Sequence, residues 1–153
     1  MTEHEERYVH FAACIERLQS AWATLNAIKA EMSSSLVAAA FRFALVEYAA
    51  PYTPSEGTIK KRHRLDSACV PTEWLQLHER ILNARNKIHA HADLTVLQAR
   101  IYLNEVQGQR YVSIVSNVVQ GTEEFGNLES VLRMIEGTLE NMFARRAELE
   151  SQL

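Results

Sequence analysis

The sequence has few of the residues that mark several large classes of protein. Its two cysteines, Cys14 and Cys69, lie far apart and form no CxxC pair, so we expect neither a disulfide framework nor a zinc knuckle, and Cys14 is predicted to be a small core residue. Its five glycines form neither a GxGxxG nor a GxxxxGK loop, which argues against nucleotide hydrolysis. No apolar run approaches the roughly 20 residues that span a bilayer. The sequence therefore predicts neither a membrane protein nor a disulfide-rich secreted one.

The chain also lacks a strong excess of charge of either sign. With 16 basic and 19 acidic residues its formal net charge is -3, which argues against a nonspecific nucleic-acid coat protein but leaves room for a local basic patch. Residues 1–6 are acidic and polar, whereas a signal peptide is basic and then apolar, so we expect a cytoplasmic protein. Its 153 residues, 47% of them hydrophobic, suit a single domain over residues 1–153 with one core.

Apolar residues recur at three- and four-residue steps in the first part of the chain, as they do in amphipathic helices. Thr2 and Glu5 form a capping box ahead of a first helix, whose apolar stripe extends to Met32 and includes Trp22 as a core residue. A second helix is predicted over residues 36–50. Because it is apolar on nearly every face, we expect it to be the central buried element.

Two further helices are predicted in the second half, with a different periodicity between them. The third begins at Pro71-Thr72-Glu73 with a good cap and ends near Asp93, and the last begins after Asn127. Between them, two apolar stretches within residues 99–119 flank Gln107-Gly108-Gln109, and this pattern indicates a β-hairpin. The sequence therefore predicts an all-α protein, a bundle of four or five helices with one small β-hairpin between the third helix and the last.

The third helix carries a guanidinium where an apolar residue is expected. At about 100° per residue, Arg85 shares one narrow arc with Ile81 and Ile88, so it interrupts a buried stripe. A buried charge needs a partner or a function. His89 and His91 follow, two residues apart and about 200° from each other around a helix, so one metal ion cannot easily bind both and we expect no metal site.

Arg85 and Asn86, followed by His91 and Asp93 near the C-terminal end of a bundle helix, resemble the R-x(4–6)-H motif of the HEPN superfamily. The likeness is greatest to the abortive-infection and other stand-alone HEPN proteins of bacteria. Arg85 and His91 match the motif with five residues between them, and Asn86 matches the polar residue that commonly follows the arginine. The surrounding helical bundle is also what the family shows.

The resemblance implies a homodimer in which two motifs face each other across a two-fold axis and form an endoribonuclease site without a metal or other cofactor. His91 would take a proton from an RNA 2′-hydroxyl, and Arg85 would stabilise charge on the phosphoryl oxygens, leaving a 2′,3′-cyclic phosphate end. Asn86 would orient the arginine or the phosphate. Such proteins act in defence or as toxins, so an antitoxin protein is a candidate partner. Asp93 stands where nucleotidylated HEPN toxins have a tyrosine, so a toxin of that type is not expected.

The same residues have other interpretations. Arg85 is structural if it pairs with Glu47, the only carboxylate in the predicted second helix. A second interpretation makes His91 a core or interface histidine. His89, four residues after Arg85, is the alternative working imidazole. Asp93 serves equally well as a cap at the helix end.

A basic run lies in the long connection between Pro51 and Pro71, and connections of this length are often functional. Such a run is usually a solvated loop, but beside an RNA site it would supply phosphate contacts, which we predict for Lys60, Lys61, Arg62 and Arg64. Two functions of different classes follow. We prefer a dimeric HEPN ribonuclease, and the alternative is a noncatalytic HEPN-like helical module that binds RNA or a partner protein.

Overall fold

Four α-helices account for most of the part of the chain that the computed structural model describes, residues 1–86, 99–116 and 123–151. They are α1 (Glu3–Ala30), α2 (Val37–Ala49), α3 (Leu75–Ala84) and α4 (Leu128–Glu150). Two antiparallel hairpins accompany them, β1 (Ser55–Glu56) with β2 (Arg62–His63) and β3 (Arg100–Val106) with β4 (Gln109–Val115). No helix within these ranges is long and apolar enough to cross a membrane. The predicted helical architecture, with a hairpin between the third helix and the last, is confirmed.

The first helix begins where the sequence predicts it. The Thr2 hydroxyl accepts the backbone N–H of Glu5 at 3.2 Å, and the Glu5 carboxylate accepts the backbone N–H of Thr2 at 2.6 Å, so the capping box is confirmed. Acidic residues in the first turn lie at the positive end of the helix dipole, which adds stability. The helix ends at Ala30, before Met32, which is 55% exposed and lies outside the apolar stripe assigned to it.

The centre of the bundle is α1 rather than α2. α1 packs against both α2 and α4 and contributes buried side chains along its whole length, namely Phe11, Cys14, Ile15, Leu18, Leu25 and Ile28. Cys14 is therefore confirmed as a core residue. The prediction that α2 is the central element is wrong, because α2 has 13 residues against 28 in α1 and flanks the longer helix on one side. Phe43 of α2 is accordingly exposed.

Three polar side-chain bonds fix α1 and α4 antiparallel to each other. The bonded pairs are Tyr8 with Glu150, Trp22 with Glu136 and Lys29 with Glu129, at 2.6, 2.8 and 2.6 Å. The intervals between successive partners are equal on the two helices, so one register runs along the whole contact. The prediction that Trp22 lies in the core is wrong: its side chain is exposed at the edge of this contact, because its indole N–H needs an acceptor and Glu136 provides one.

The connection between α2 and α3 folds against the bundle, although its sequence predicts no strand. β1 and β2 form a two-residue ladder. Leu65 is buried in the core, and its backbone N–H donates to the Pro51 carbonyl at 2.8 Å. The Asn141 side-chain amide of α4 donates to the Cys69 carbonyl at 3.0 Å. These contacts hold residues 60–64 beside α1 and α4.

The third helix begins later than the sequence predicts. Thr72–Trp74 form a 3-10 turn, in which the Trp74 N–H donates to the Pro71 carbonyl at 2.9 Å, and α3 starts only at Leu75. No side-chain hydrogen bond caps either element, so the predicted cap at this position is wrong. The tighter turn satisfies a backbone donor that a capping side chain would otherwise satisfy.

The second hairpin has a two-residue turn at Gln107 and Gly108. Both have positive φ, 54° and 76°, which matches the type I′ turn that suits the twist of two antiparallel strands. The hairpin predicted from the sequence is confirmed. Every residue of β3 and β4 is exposed. One face, which we call the aliphatic face, carries Ile101, Leu103, Val112 and Ile114.

We expect the unfolding free energy to depend on α1 and much less on the exposed end of α2. Leu18 is fully buried and Leu36 is 69% exposed. Leu18→Ala should cost about 2 to 5 kcal/mol, because it leaves a cavity at the centre of the bundle, whereas Leu36→Ala should cost less than about 0.5 kcal/mol. Urea denaturation followed by circular dichroism measures both values. Equal losses in the two variants would contradict the placement of α1 at the centre.

Candidate functional site

The apolar face of α3 leads directly to Arg85. Leu77 and Ile81 are buried, and Arg85 follows Ile81 by one turn. The backbone N–H of Arg85 donates to the carbonyls of both Ile81 and Leu82, and the chain widens into a π-type turn at Arg85 and Asn86. Such wider turns are frequent at functional sites because they redirect side chains away from the regular helix.

The Arg85 guanidinium is half-buried and only partly hydrogen-bonded. Its Nη1 donates to Asn86 Oδ1 at 3.0 Å. Its Nε is buried and has no acceptor among the described residues. A buried N–H without an acceptor costs roughly 1 to 3 kcal/mol, so the Arg85 Nε calls for an acceptor beyond those that the described residues provide. The placement of Arg85 beside a buried stripe agrees with the sequence prediction.

The other motif residues lie outside the described part of the chain. These are His89, His91 and Asp93. The described geometry of the motif is therefore that of Arg85 and Asn86, and the assignment of His89 or His91 as the working imidazole stays a prediction.

Glu47 is not the partner of Arg85. Its carboxylate accepts a hydrogen bond from Arg17 Nη1 of α1 at 2.6 Å, in an ion pair that joins α1 to α2. The Glu47 side chain is 12% exposed and that of Arg17 is 54% exposed. The interpretation of Arg85 as a structural arginine held by Glu47 is thus wrong, because the carboxylate is paired with a nearer cation.

The basic run forms one wall of a cleft. Lys60, near the tip of the β1–β2 turn, has a φ of 61°, and Lys61 pairs with Glu3 of α1 at 2.6 Å. α1 and the C-terminal part of α4 supply the opposite wall. We call this space of about 440 Å³ the basic cleft, and its basic lining residues are Arg7, His10, Lys61, Arg62, His63, Arg64 and Arg145. Whether these residues contact RNA stays a prediction.

A buried carboxylate lies beside His63, one of the two histidines of the basic cleft. The rings of His10 and His63 have centroids 5.3 Å apart, and His63 Nε2 lies 3.5 Å from Glu6 Oε2. The Glu6 Oε1 atom accepts the Thr58 hydroxyl and the backbone N–H groups of Thr58 and Ile59. Burial opposes ionisation of Glu6, but these hydrogen bonds prevail and lower its pKa. The carboxylate is therefore a fixed negative charge that orders the β1–β2 turn.

A second cleft, of about 510 Å³, lies between the connection and α3. Its lining includes Arg64 and Asp66 of the connection and Glu79 and Leu82 of α3. Arg64 lines this second cleft as well as the basic cleft. The two clefts therefore adjoin, and the second one extends along α3 toward the turn that carries Arg85.

His78 and two tyrosines form a buried polar cluster beside the second cleft. The Tyr48 hydroxyl lies 2.8 Å from His78 Nδ1, and the Tyr52 ring packs edge-on against the His78 ring at 4.4 Å between centroids. Burial raises the pKa of both tyrosines and lowers the pKa of His78, although the charge of Glu79 opposes the latter shift. All three groups are thus kept neutral, and this cluster stabilises the core rather than presenting charge to a ligand.

Sequence reasoning missed Arg7, His10 and Arg145 as site residues. Arg7 and Arg145 lie near opposite ends of the chain and meet only because α1 and α4 are antiparallel. The basic run was the one local signal for this cleft. Within the described ranges, no group of three or more His, Cys, Asp or Glu side chains is placed to hold a metal ion.

Comparisons of the chain with models of known protein families, with curated proteins and with solved structures found no significant match. Its function is therefore argued from its own residues and their geometry.

We expect the stability of the fold to fall as the pH is lowered through the range in which histidine titrates. The folded-state pKa of His78 lies below its value in the unfolded chain, about 6.5, so the unfolded state binds the proton more tightly and is favoured as the pH falls. Burial and the charge of His63 lower the pKa of His10 in the same direction.

Urea denaturation at about pH 7.5 and about pH 5 measures this loss. His78→Gln should reduce the difference between the two unfolding free energies, whereas His4→Gln, at an exposed position, should leave it unchanged. A pH dependence that is identical in wild type and His78→Gln would contradict the assigned shift.

Proposed function

We propose that this protein is a metal-independent endoribonuclease of the HEPN type, which acts as a homodimer in defence or as a cytoplasmic toxin. The observation that carries the proposal is the state of Arg85. A half-buried guanidinium, whose Nε has no acceptor among the described residues, stands where α3 widens, hydrogen-bonded to Asn86 and six residues before His91. An arginine in a purely structural role would have its donors satisfied by the protein.

In the proposed reaction His91 accepts the proton of an RNA 2′-hydroxyl as its oxygen attacks the adjacent phosphorus. The bond to the 5′-oxygen breaks, that oxygen takes up a proton, and a 2′,3′-cyclic phosphate remains on the other fragment. Arg85 stabilises the negative charge on the phosphoryl oxygens through the guanidinium donors that the described residues leave without an acceptor. The 3.0 Å hydrogen bond that Arg85 Nη1 donates to Asn86 Oδ1 restricts the orientation of the guanidinium, which supports its use as a preorganised clamp.

A dimer is supported by the hairpin that follows the motif. The four side chains of the aliphatic face are 62–68% exposed, and an isolated two-stranded hairpin is at best marginally stable in water. Apolar surface of this kind marks interaction sites, and both strand edges are unpaired among the described residues. A second copy of the chain would cover this face and bring a second motif to the first, as a two-fold axis requires.

The contact of RNA with the basic run is supported by the second cleft. Because Arg64 and Leu82 line the same cleft, the basic run and the motif helix border one continuous surface. An RNA strand bound at Arg85 would pass Arg64, and Lys60 and Arg62 would contact its phosphates farther along.

The second candidate function is a noncatalytic HEPN-like module that binds RNA or a partner protein such as an antitoxin. The exposed aliphatic face favours it, because that face would serve a partner protein as well as a second copy. RNA cleavage separates the two candidates, since only the first predicts a cyclic phosphate product.

We expect the purified protein to cleave RNA in the presence of a chelator. Arg85→Ala and His91→Ala should each lower the rate by about 10²- to 10⁴-fold, because either change disables the same transition state, while His89→Ala should retain much of the activity. Gel analysis of labelled RNA measures the rates. Arg133→Ala, an arginine exposed on α4, is the matched control and should cleave at the wild-type rate.

All variants must remain folded and keep the wild-type mass in solution for the comparison to count. A folded His91→Ala protein that cleaves at the wild-type rate would contradict its role, and loss in His89→Ala instead would assign the base to His89. Binding of RNA without cleavage by the wild-type protein would favour the noncatalytic module.

We expect light scattering to report twice the chain mass of 17.4 kDa at about micromolar concentration. Leu103→Lys places a charge on the aliphatic face and should shift the protein toward monomer. Tyr102→Lys, on the opposite face of the same strand, should leave the dimer intact. A monomer at every concentration would rule out a composite site.

A further inference from the structure

We propose that the basic cleft binds a phosphate monoester of nucleotide size. This inference goes beyond the ribonuclease proposal and does not depend on it, because it uses neither Arg85 nor the histidines that follow. It rests on the charge, the construction and the dimensions of the cleft.

The charge of the cleft is opposite to that of the protein as a whole. Five cationic side chains and two carboxylates line it, whereas the chain carries a net charge of -3. Both carboxylates are already used by the protein, since Glu3 pairs with Lys61 and Asp66 accepts the backbone N–H of Ala68 at 2.9 Å. The lining therefore has a surplus of positive charge that its own acids do not neutralise.

The arginines of the cleft are the part of this charge that no described carboxylate pairs with, although Arg145 also hydrogen-bonds to Cys69. None of the ion pairs formed within the described ranges involves Arg7, Arg62, Arg64 or Arg145. They come from three separate elements, α1, the connection and α4, and lie around one cavity. Guanidinium groups held around one space repel each other, and a bound dianion would replace that repulsion with charge-assisted, bidentate hydrogen bonds.

The wall that carries Arg62 and His63 is built to a fixed shape. Glu6 holds the turn through Thr58 and Ile59, and a Cβ atom added at Gly57 would lie 2.5 Å from Glu6 Oε1 and 2.9 Å from His63 Nε2. A side chain at position 57 would displace Glu6 or His63. His63 and the backbone of this wall are thus positioned by buried contacts, which lowers the entropy cost of ordering the wall on binding.

The dimensions of the cleft suit an organic phosphate rather than inorganic phosphate alone. Its volume of about 440 Å³ lies within the range of about 300 to 1,000 Å³ that is usual for small-molecule sites. Apolar atoms of Phe11, Leu65 and Leu149 line it together with the imidazole rings of His10 and His63. These groups would contact a heterocyclic base while the arginines bind its phosphate.

The test is calorimetric titration of the wild-type protein with adenosine 5′-monophosphate and with adenosine. The monophosphate should bind and adenosine should not. Arg7→Gln and Arg145→Gln should each weaken binding about tenfold, because each removes a charged donor to the phosphate. Arg133→Gln makes the same change of charge elsewhere on α4 and should alter the affinity less than twofold. Arg7 is exposed, so its variant keeps the test valid if Arg145→Gln fails to fold.

A second titration tests whether the bound phosphate belongs to a free nucleotide or to the end of an RNA strand. A short 2′-O-methyl oligoribonucleotide, which cannot form a cyclic phosphate, is titrated with and without a 5′-phosphate. If the oligonucleotide binds only when it carries the 5′-phosphate, the cleft binds strand ends as well as free nucleotides. If the mononucleotide binds and neither oligonucleotide does, the cleft binds free nucleotides.

Three outcomes would overturn the proposal: no binding of either phosphorylated probe at about 1 mM, equal affinity for adenosine and its monophosphate, or an equal loss in Arg133→Gln and Arg145→Gln. Arg85→Ala should bind the mononucleotide as wild type does. A protein that binds the mononucleotide but does not cleave RNA therefore refutes the ribonuclease and leaves the nucleotide site standing.

Discussion

The antiparallel pairing of α1 with α4 is the constraint on which the rest of the structure depends. The apolar contacts between the two helices form the centre of the core. The polar side-chain bonds along the edge of this contact, from Tyr8–Glu150 to Lys29–Glu129, share a single register. In that register the first turns of α1 lie beside the last turns of α4. Arg7 and Arg145 are thereby brought to one cleft, although neither helix alone carries a basic cluster. A shift of one helical turn, about 5.4 Å, would separate them.

The connection between α2 and α3 depends on the same pairing. Its anchors are Leu65 in the core, the Cys69 carbonyl on Asn141 of α4 and the β1–β2 turn on Glu6 of α1. A carboxylate that is 5% exposed is costly to bury unless its oxygens are hydrogen-bonded, so Glu6 stabilises the fold only while the turn is in place. The position of the basic run and the folding of the bundle are therefore coupled.

The features that the sequence predicts well are those decided by neighbouring residues. The capping box at Thr2, the helix periodicities and the Gln107-Gly108 turn each follow from contacts a few residues apart. Apart from the missing cap before α3 and the end of α1, the errors concern partners distant in the chain. Glu47 pairs with Arg17 rather than Arg85, and Trp22 faces Glu136 instead of the core, because the relative rotation of packed helices is not contained in either helix alone. The basic cleft escaped prediction for the same reason, since three elements build it.

The two positively charged features of this chain differ in their construction, and the difference bears on what each can do. Arg85 is a single half-buried guanidinium whose Nε lacks an acceptor among the described residues, an arrangement suited to a charge that develops during a reaction. The basic cleft instead holds several arginines around an open cavity, which suits a ligand that is already charged. Arg64 borders both the basic cleft and the second cleft, which extends along α3 as far as Leu82. In a net acidic protein, long-range repulsion weakens nonspecific binding of polyanions, so an anion is held only where these local charges converge. The proposed recognition of a phosphate by this chain would therefore depend on the position of these charges rather than on the overall charge.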